Sequence, residues 1–307
     1  MATLSALPTE LLLLILSDVA VDAGAGHITT TVGRVCKSLR HLVESSGLDV
    51  MYTSLLGTRA MKLFLEFLGH KKIAQTRVLS LLVVVDREHD NGSSGPTTCL
   101  ELPVLPALID LHLSGLIVTS PNRTPNLKRL QLLRILDLPP EDDDGLLPVL
   151  APALTHFKLA FRVPSAAVLV KIFKTFRPYL DMTIARILHP NIALDIAAKH
   201  GFPISLRRVV LRFDIPADTS EDDDVDLAYR QEIKAALENV ASLIDALVPD
   251  FQAIIPYFFL EIPLVVLPSA NVGEYEGDGA GEDGRGYAEE FVKGWVAVNS
   301  GKDLTWT

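Results

Sequence analysis

Cysteine is almost missing: Cys36 and Cys99 are the only two in 307 residues. Two thiols build no disulfide framework, and their scarcity suits a reducing compartment, so cytosol or nucleus is expected. Long apolar runs are missing too. The longest tract, Ala253 to Leu267, is broken by Pro256, Glu261 and Pro263. A membrane-spanning helix needs about twenty predominantly apolar residues, so no membrane partner is expected. Clustered positive charge is also lacking. The chain carries 28 Lys and Arg against 38 Asp and Glu, a net charge of −10. Phosphate-backbone contacts need concentrated basic surface, which argues against nucleic acid as partner. Arg207-Arg208 and Lys128-Arg129 are isolated pairs, read as solvated alternate positions of strands. No Lys or Arg precedes Arg34, and Glu10 stands before the first apolar run. The positive n-region of a signal peptide is therefore not there, although Ala23-Gly24-Ala25-Gly26 offers small residues.

Catalytic signatures are lacking as well. The chain has no G-x-x-x-x-G-K-[ST], no G-x-S-x-G and no His-x-x-x-His pair at zinc spacing. Gly277-Asp278-Gly279-Ala280-Gly281 lies in an acidic stretch and not between a strand and a helix, so it is no nucleotide fingerprint. His112 and His156 read as equivalent positions in two repeats, on an alternate strand face. Cys36 reads as a small buried hydrophobe within a helix. No catalytic residue, metal ligand or cofactor is expected.

What is present begins at the N-terminus. Leu4-Ser5-Ala6-Leu7-Pro8-Thr9-Glu10-Leu11-Leu12-Leu13-Leu14-Ile15-Leu16 leads, after a Gly/Thr-rich stretch from Val21 to Thr31, into Val35-Cys36-Lys37-Ser38-Leu39-Arg40-His41-Leu42. Pro8 suits a helix start, where its missing N–H is not needed. Glu10 favours the positive end of the helix dipole. Leu11 to Leu16 are apolar on every side of a helix, so every side needs a cover. One side can pack on a second helix bearing Val35, Leu39 and Leu42. The other needs the rest of the chain or a partner protein.

These two segments resemble an F-box, an L-P-x-E-L-L…I-L helix followed by a V-C-[KR]-x-[WL]-[RK]-x-L helix. The middle segment is longer and richer in Gly and Thr than is usual, and Leu39 stands where many members carry Trp. The resemblance implies docking on a Skp-type adaptor in a cullin-based ubiquitin ligase. It carries the docking role onto Leu7, Pro8, Leu11, Ile15, Leu16, Val35 and Leu39. An ordinary buried helical hairpin is the plain alternative.

A short pattern organises the middle of the chain. Leu108-x-x-Leu111-x-Leu113, Leu127-x-x-Leu130-x-Leu132, Leu154-x-x-Phe157-x-Leu159 and Leu206-x-x-Val209-x-Leu211 are its clear copies. Weaker ones start at Thr76, Tyr179 and Tyr257. In each, the L-x-L part reads as a short strand with alternate residues turned inward, and the earlier leucine as its entry. One such unit cannot bury its apolar side alone, so units stack. A period in the twenties resembles that of leucine-rich repeats. Strands are expected near 79–84, 109–114, 128–133, 155–160, 181–185, 207–213 and 257–262, parallel in one curved sheet. Helices are expected within 145–153, 165–176, 191–199 and 226–248.

The fold class is therefore α/β: an F-box-like helical module (1–50), a leucine-rich-repeat-like solenoid with parallel strands and outer helices (51–267), and an acidic Gly-rich linker with a C-terminal capping segment (268–307). In that last segment Phe291, Trp295 and Val298 are expected to dock back and close the exposed end of the repeats. Two acidic clusters follow repeat strands: Asp137 with Glu141, Asp142, Asp143 and Asp144, and Asp214 with Glu221, Asp222, Asp223 and Asp224. They read as solvated loops or, if functional, as a negative rim that steers a basic protein substrate. The function implied is non-catalytic substrate recognition within a Skp–cullin–F-box ligase. A stand-alone repeat scaffold and an enzyme without recognisable motifs are the alternatives.

Overall fold

The architecture follows from hydrogen bonding between short, similar units. The structure is a computed structural model that describes residues 7–23, 27–85, 98–100, 102–114, 116–118, 123–135, 151–162, 203, 205–214, 264–267 and 285–300. Three helices open it: α1 (Thr9–Ala23), α2 (His27–Val35) and α3 (Lys37–Ser46). Strand β1 (Tyr52–Leu56) and helix α4 (Thr58–His70) follow, then β2 (Ser80–Val84), β3 (Thr98–Leu100), β4 (Asp110–Ser114) and β5 (Leu116–Val118). Next come β6 (Arg129–Ile135), β7 (His156–Arg162), β8 (Arg208–Asp214), β9 (Leu264–Leu267) and a final helix, α5 (Arg285–Asn299).

Seven strands form one sheet in the order β1-β2-β4-β6-β7-β8-β9, and every pairing is parallel. Parallel pairing is what long crossovers between successive strands require. The expected strands at 79–84, 109–114, 128–133, 155–160 and 207–213 are present with ends shifted by a residue or two. Those at 181–185 and 257–262 lie outside the described residues. β1 and the small parallel pair β3–β5 were not anticipated. The expected helices 165–176, 191–199 and 226–248 also lie outside the described residues. Of 145–153, the described end, Ala151 to Ala153, is a turn and not a helix: Leu154 N–H donates to Ala151 C=O at 3.0 Å.

That turn recurs. Leu108 N–H donates to Leu105 C=O, Leu127 N–H to Thr124 C=O and Leu206 N–H to Pro203 C=O, at 3.1–3.2 Å. In each unit the turn delivers the first leucine of the pattern into the core, and Leu108, Leu127, Leu154 and Leu206 are all buried. A second motif joins neighbours. One carbonyl accepts two successive N–H groups from the next unit: Met51 from Leu79 and Ser80, Leu79 from Ile109 and Asp110, Ile109 from Lys128 and Arg129. Lys128 then accepts from Thr155 and His156, and Thr155 from Arg207 and Arg208. The ladder keeps equivalent side chains in rows. Leu81, Leu111, Leu130, Phe157 and Val209 form one apolar row, and Val83, Leu113, Leu132, Leu159 and Leu211 the next.

The helical segment is packed onto the first strand's side of the sheet. Leu16, Ala20, Ile28, Val43, Leu48 and Met51 form one buried cluster, with Tyr52 and Leu79 against it. Gly47 closes α3 in the left-handed region at φ +75°. A Cβ there would come within 2.5 Å of Gln75 C=O, so only glycine permits this close approach. Lys71 Nζ donates to Asp49 Oδ2 at 2.6 Å beside the same junction. Two expectations need correction. The helix read through Val35-Cys36-Lys37 is broken at Cys36, which precedes α3 in an extended conformation. And Cys36 is exposed, not buried, at the break between the two helices.

Candidate partner-docking surfaces

Helix α1 begins directly after Pro8, and Leu12 N–H donates to Pro8 C=O at 3.1 Å. Its apolar residues divide into two arcs. Leu12, Leu16 and Ala20 point into the core at helical spacing. On the other side, Leu7, Leu11, Leu14, Ile15 and Val19 are left open, with exposures from 37% (Val19) to 62% (Leu14). At 3.6 residues per turn the four within α1 span an arc of roughly 140°, and Leu7 stands just before the helix. Asp18 lies within that arc and is also exposed. A single exposed leucine is ordinary, but an uncovered apolar stripe marks an interaction surface. So the half of α1 that the chain's own core does not cover is uncovered in fact.

The seven residues assigned to adaptor docking are not all on this stripe. Leu7, Pro8, Leu11 and Ile15 are exposed on it or at its start. Leu16 is in the core; it is one residue past Ile15 and so about 100° further round the helix, on the packed side. Val35 is the last residue of α2 and stands 73% exposed, while Leu39 is half-buried in α3. Leu14 and Val19 share the stripe and were missed, although their spacing from Leu7 and Leu11 makes them readable.

The sheet's alternate face carries the polar residues of the strands, but it is not open: Ser80, Leu82, Asp110, His112 and Lys158 are all buried. The leucines of L-x-L face the core, so the residues between them face the other way. One row there reads Tyr52, Ser80, Asp110, Arg129, His156 and Arg208; the next reads Leu82, His112, Gln131 and Lys158. Asp110 takes a two-pronged ion pair from Arg129: Nε to Oδ1, and Nη2 to Oδ2 at 2.7 Å. His112 Nδ1–H donates to Gln131 Oε1 at 3.0 Å. That leaves Nε2 as a buried acceptor without a hydrogen-bond partner. His112 and His156 share this face but not, as expected from the sequence, equivalent positions. His156 stands opposite Arg129, whereas His112 stands opposite Gln131 one row on. The Lys128-Arg129 pair likewise splits: Lys128 is exposed before the strand, and Arg129 is half-buried in its ion pair.

Burial pulls His112 down from its ordinary 6.5 to about 4, against the opposing pull of Asp110 and Gln131. The His156 value is lowered in the same direction, by burial first and then by Arg129, Arg208 and Arg207. The unfolded chain protonates its histidine near the ordinary value, while folded His112 stays neutral until about pH 4. Stability from this residue is therefore intact above pH 6.5 and falls as pH drops through the window to 4, by about 3 kcal/mol. Urea midpoints followed from pH 7 to 4 should show a shallower loss for His112→Gln than for the native chain. Parallel curves would mean that His112 does not hold its neutral form.

Of the acidic residues assigned to substrate steering, Asp214 is the last residue of β8, paired in register with Arg162, and not part of the following loop. Asp137, Glu141 to Asp144 and Glu221 to Asp224 lie outside the described residues. Among the described residues no group of three or more His, Cys, Asp or Glu is placed to hold a metal ion, and no helix is long and apolar enough to cross a membrane. No family model, no curated protein and no solved structure matches the chain.

Proposed function

We propose that the chain is a substrate-recognition adaptor of a Skp–cullin–F-box ubiquitin ligase. The observation that carries this reading is the open stripe of Leu11, Leu14, Ile15 and Val19 on α1, with Leu7 just before it, opposite Leu12, Leu16 and Ala20 in the core. An F-box-like segment needs that division, one half to hold the module together and one half for its adaptor. The repeated turn and the shared carbonyl ladder support a leucine-rich-repeat-like stack behind the module, since among the described residues each unit's backbone ladder runs to its neighbours. In this role the chain performs no chemistry. It supplies proximity and orientation for a transfer carried out by other subunits. Substrate selection falls to the repeat region, and a basic substrate segment would suit the acidic sequences 141–144 and 221–224.

Co-purification tests the adaptor contact. The native chain should bring a Skp-type protein and a cullin from cell extract. Leu7→Ala combined with Pro8→Ala should abolish that capture, with circular dichroism and thermal midpoint unchanged because both residues are exposed. Undiminished capture by the correctly folded double variant would remove the F-box assignment. Failure of the native chain to capture either subunit would leave a stand-alone repeat scaffold.

A further inference from the structure

Helix α5 does not cap the end of the repeats that precedes it in sequence. It lies on the alternate face of β1 and β2, at the opposite end of the sheet, and approaches α1. Trp295 is its anchor. The indole is 2% exposed, packs with Leu82 and Val84, and donates Nε1–H to Ser80 Oγ at 2.8 Å. Val292 and Val296, one turn before and one residue after, pack against the same cluster with Tyr52. The polarity of the sheet changes next to this helix. In the row that reads Leu82, His112, Gln131, Lys158, the residue beneath α5 is apolar and the next three are polar.

We propose that α5 is a reversible latch. Docked, it closes the β1–β2 end of the alternate face; released, it uncovers Tyr52, Ser80, Leu82 and Val84 as a slot for an amphipathic helix with an indole anchor. The helix is built to hold weakly on its own. Its 15 residues are too few for stability in water without packing. It has no acidic residue in its first turn and no basic one in its last, so its dipole is uncompensated. Gly294 sits mid-helix where an added Cβ would meet nothing within 4 Å. Packing does not demand glycine at that position, yet glycine weakens the helix.

Hydrogen exchange on the full chain tests the latch without reference to any ligase. Amides of 285–299 should exchange by local opening, faster than those of β4. Gly294→Ala should slow that exchange about fivefold, the Gly-to-Ala difference in helix propensity, and Trp295→Ala should bring it near the rate of an unprotected segment. A synthetic peptide spanning 285–300 should bind the Trp295→Ala chain and restore protection at β2, but not bind the Gly294→Ala chain. If α5 exchanges in step with β4 in both the native and Gly294→Ala chains, it is a fixed part of the fold. If the peptide binds both variants equally, or neither, the slot is refuted. The Gly294→Ala arm stands even if Trp295→Ala fails to fold.

Discussion

Replacing Phe157 with alanine should cost about 3–5 kcal/mol, the range for deleting a fully buried aromatic ring. Phe157 is 1% exposed near the start of β7. It stands in one apolar row between Leu130 and Val209. The vacated volume cannot close by moving strands together, because β7 is hydrogen-bonded on both sides and its entry is fixed by the Lys128 and Thr155 carbonyls. Phe157→Leu keeps most of the volume and should cost less than about 1.5 kcal/mol. Urea unfolding of both variants measures this. A loss below about 1 kcal/mol for Phe157→Ala would mean that the rows are not the continuous core described here.

Removing one partner of the Asp110–Arg129 pair should have the second large effect. Asp110 is almost wholly buried, while the Arg129 side chain keeps 31% exposure. Arg129→Ala leaves a carboxylate in the sheet without its two-pronged donor. Breaking a buried pair from one side costs about 3–5 kcal/mol, and the partial exposure of Arg129 places this pair near the lower end. Removing both charges together, as Asp110→Leu with Arg129→Leu, should cost much less, since well-packed apolar replacements of buried pairs are often neutral. The urea midpoints of the native chain, Asp110→Leu, Arg129→Leu and the double variant form a double-mutant cycle. If the double variant is as unstable as the sum of the single ones, the pair contributes nothing as a pair.

The strands were legible because their signal is local. L-x-x-L-x-L sets strand and entry leucine within six residues, and the fold of Leu108, Leu127, Leu154 and Leu206 follows it. A further local signal passed unnoticed. Pro106, Pro125 and Pro152 each occupy the second position of the turn before the strand, where a fixed φ is favourable. β1 was not legible. Met51-Tyr52-Thr53-Ser54-Leu55-Leu56 lacks the pattern and becomes a strand by pairing with β2. The break at Cys36 was hidden for a related reason: apolar spacing runs smoothly through Val35, Leu39 and Leu42 across a boundary where the backbone changes direction.

The sequence by itself determined an α/β chain with parallel strands at the leucine pattern and an N-terminal helix too apolar to be covered by one neighbour. Which half of that helix remains open was a tertiary decision. Leu11 to Leu16 are nearly alike in hydrophobicity, and only the placement of Ile28, Val43 and Met51 selects Leu16 and, a turn on, Ala20 for the core. The same holds for α5. Its amphipathic spacing predicted docking, but the contact of Trp295 with Ser80 joins positions 215 residues apart. An apolar face in sequence states that burial is favourable; it carries no address, because the hydrophobic effect is non-directional and only shape and hydrogen-bond partners choose the site.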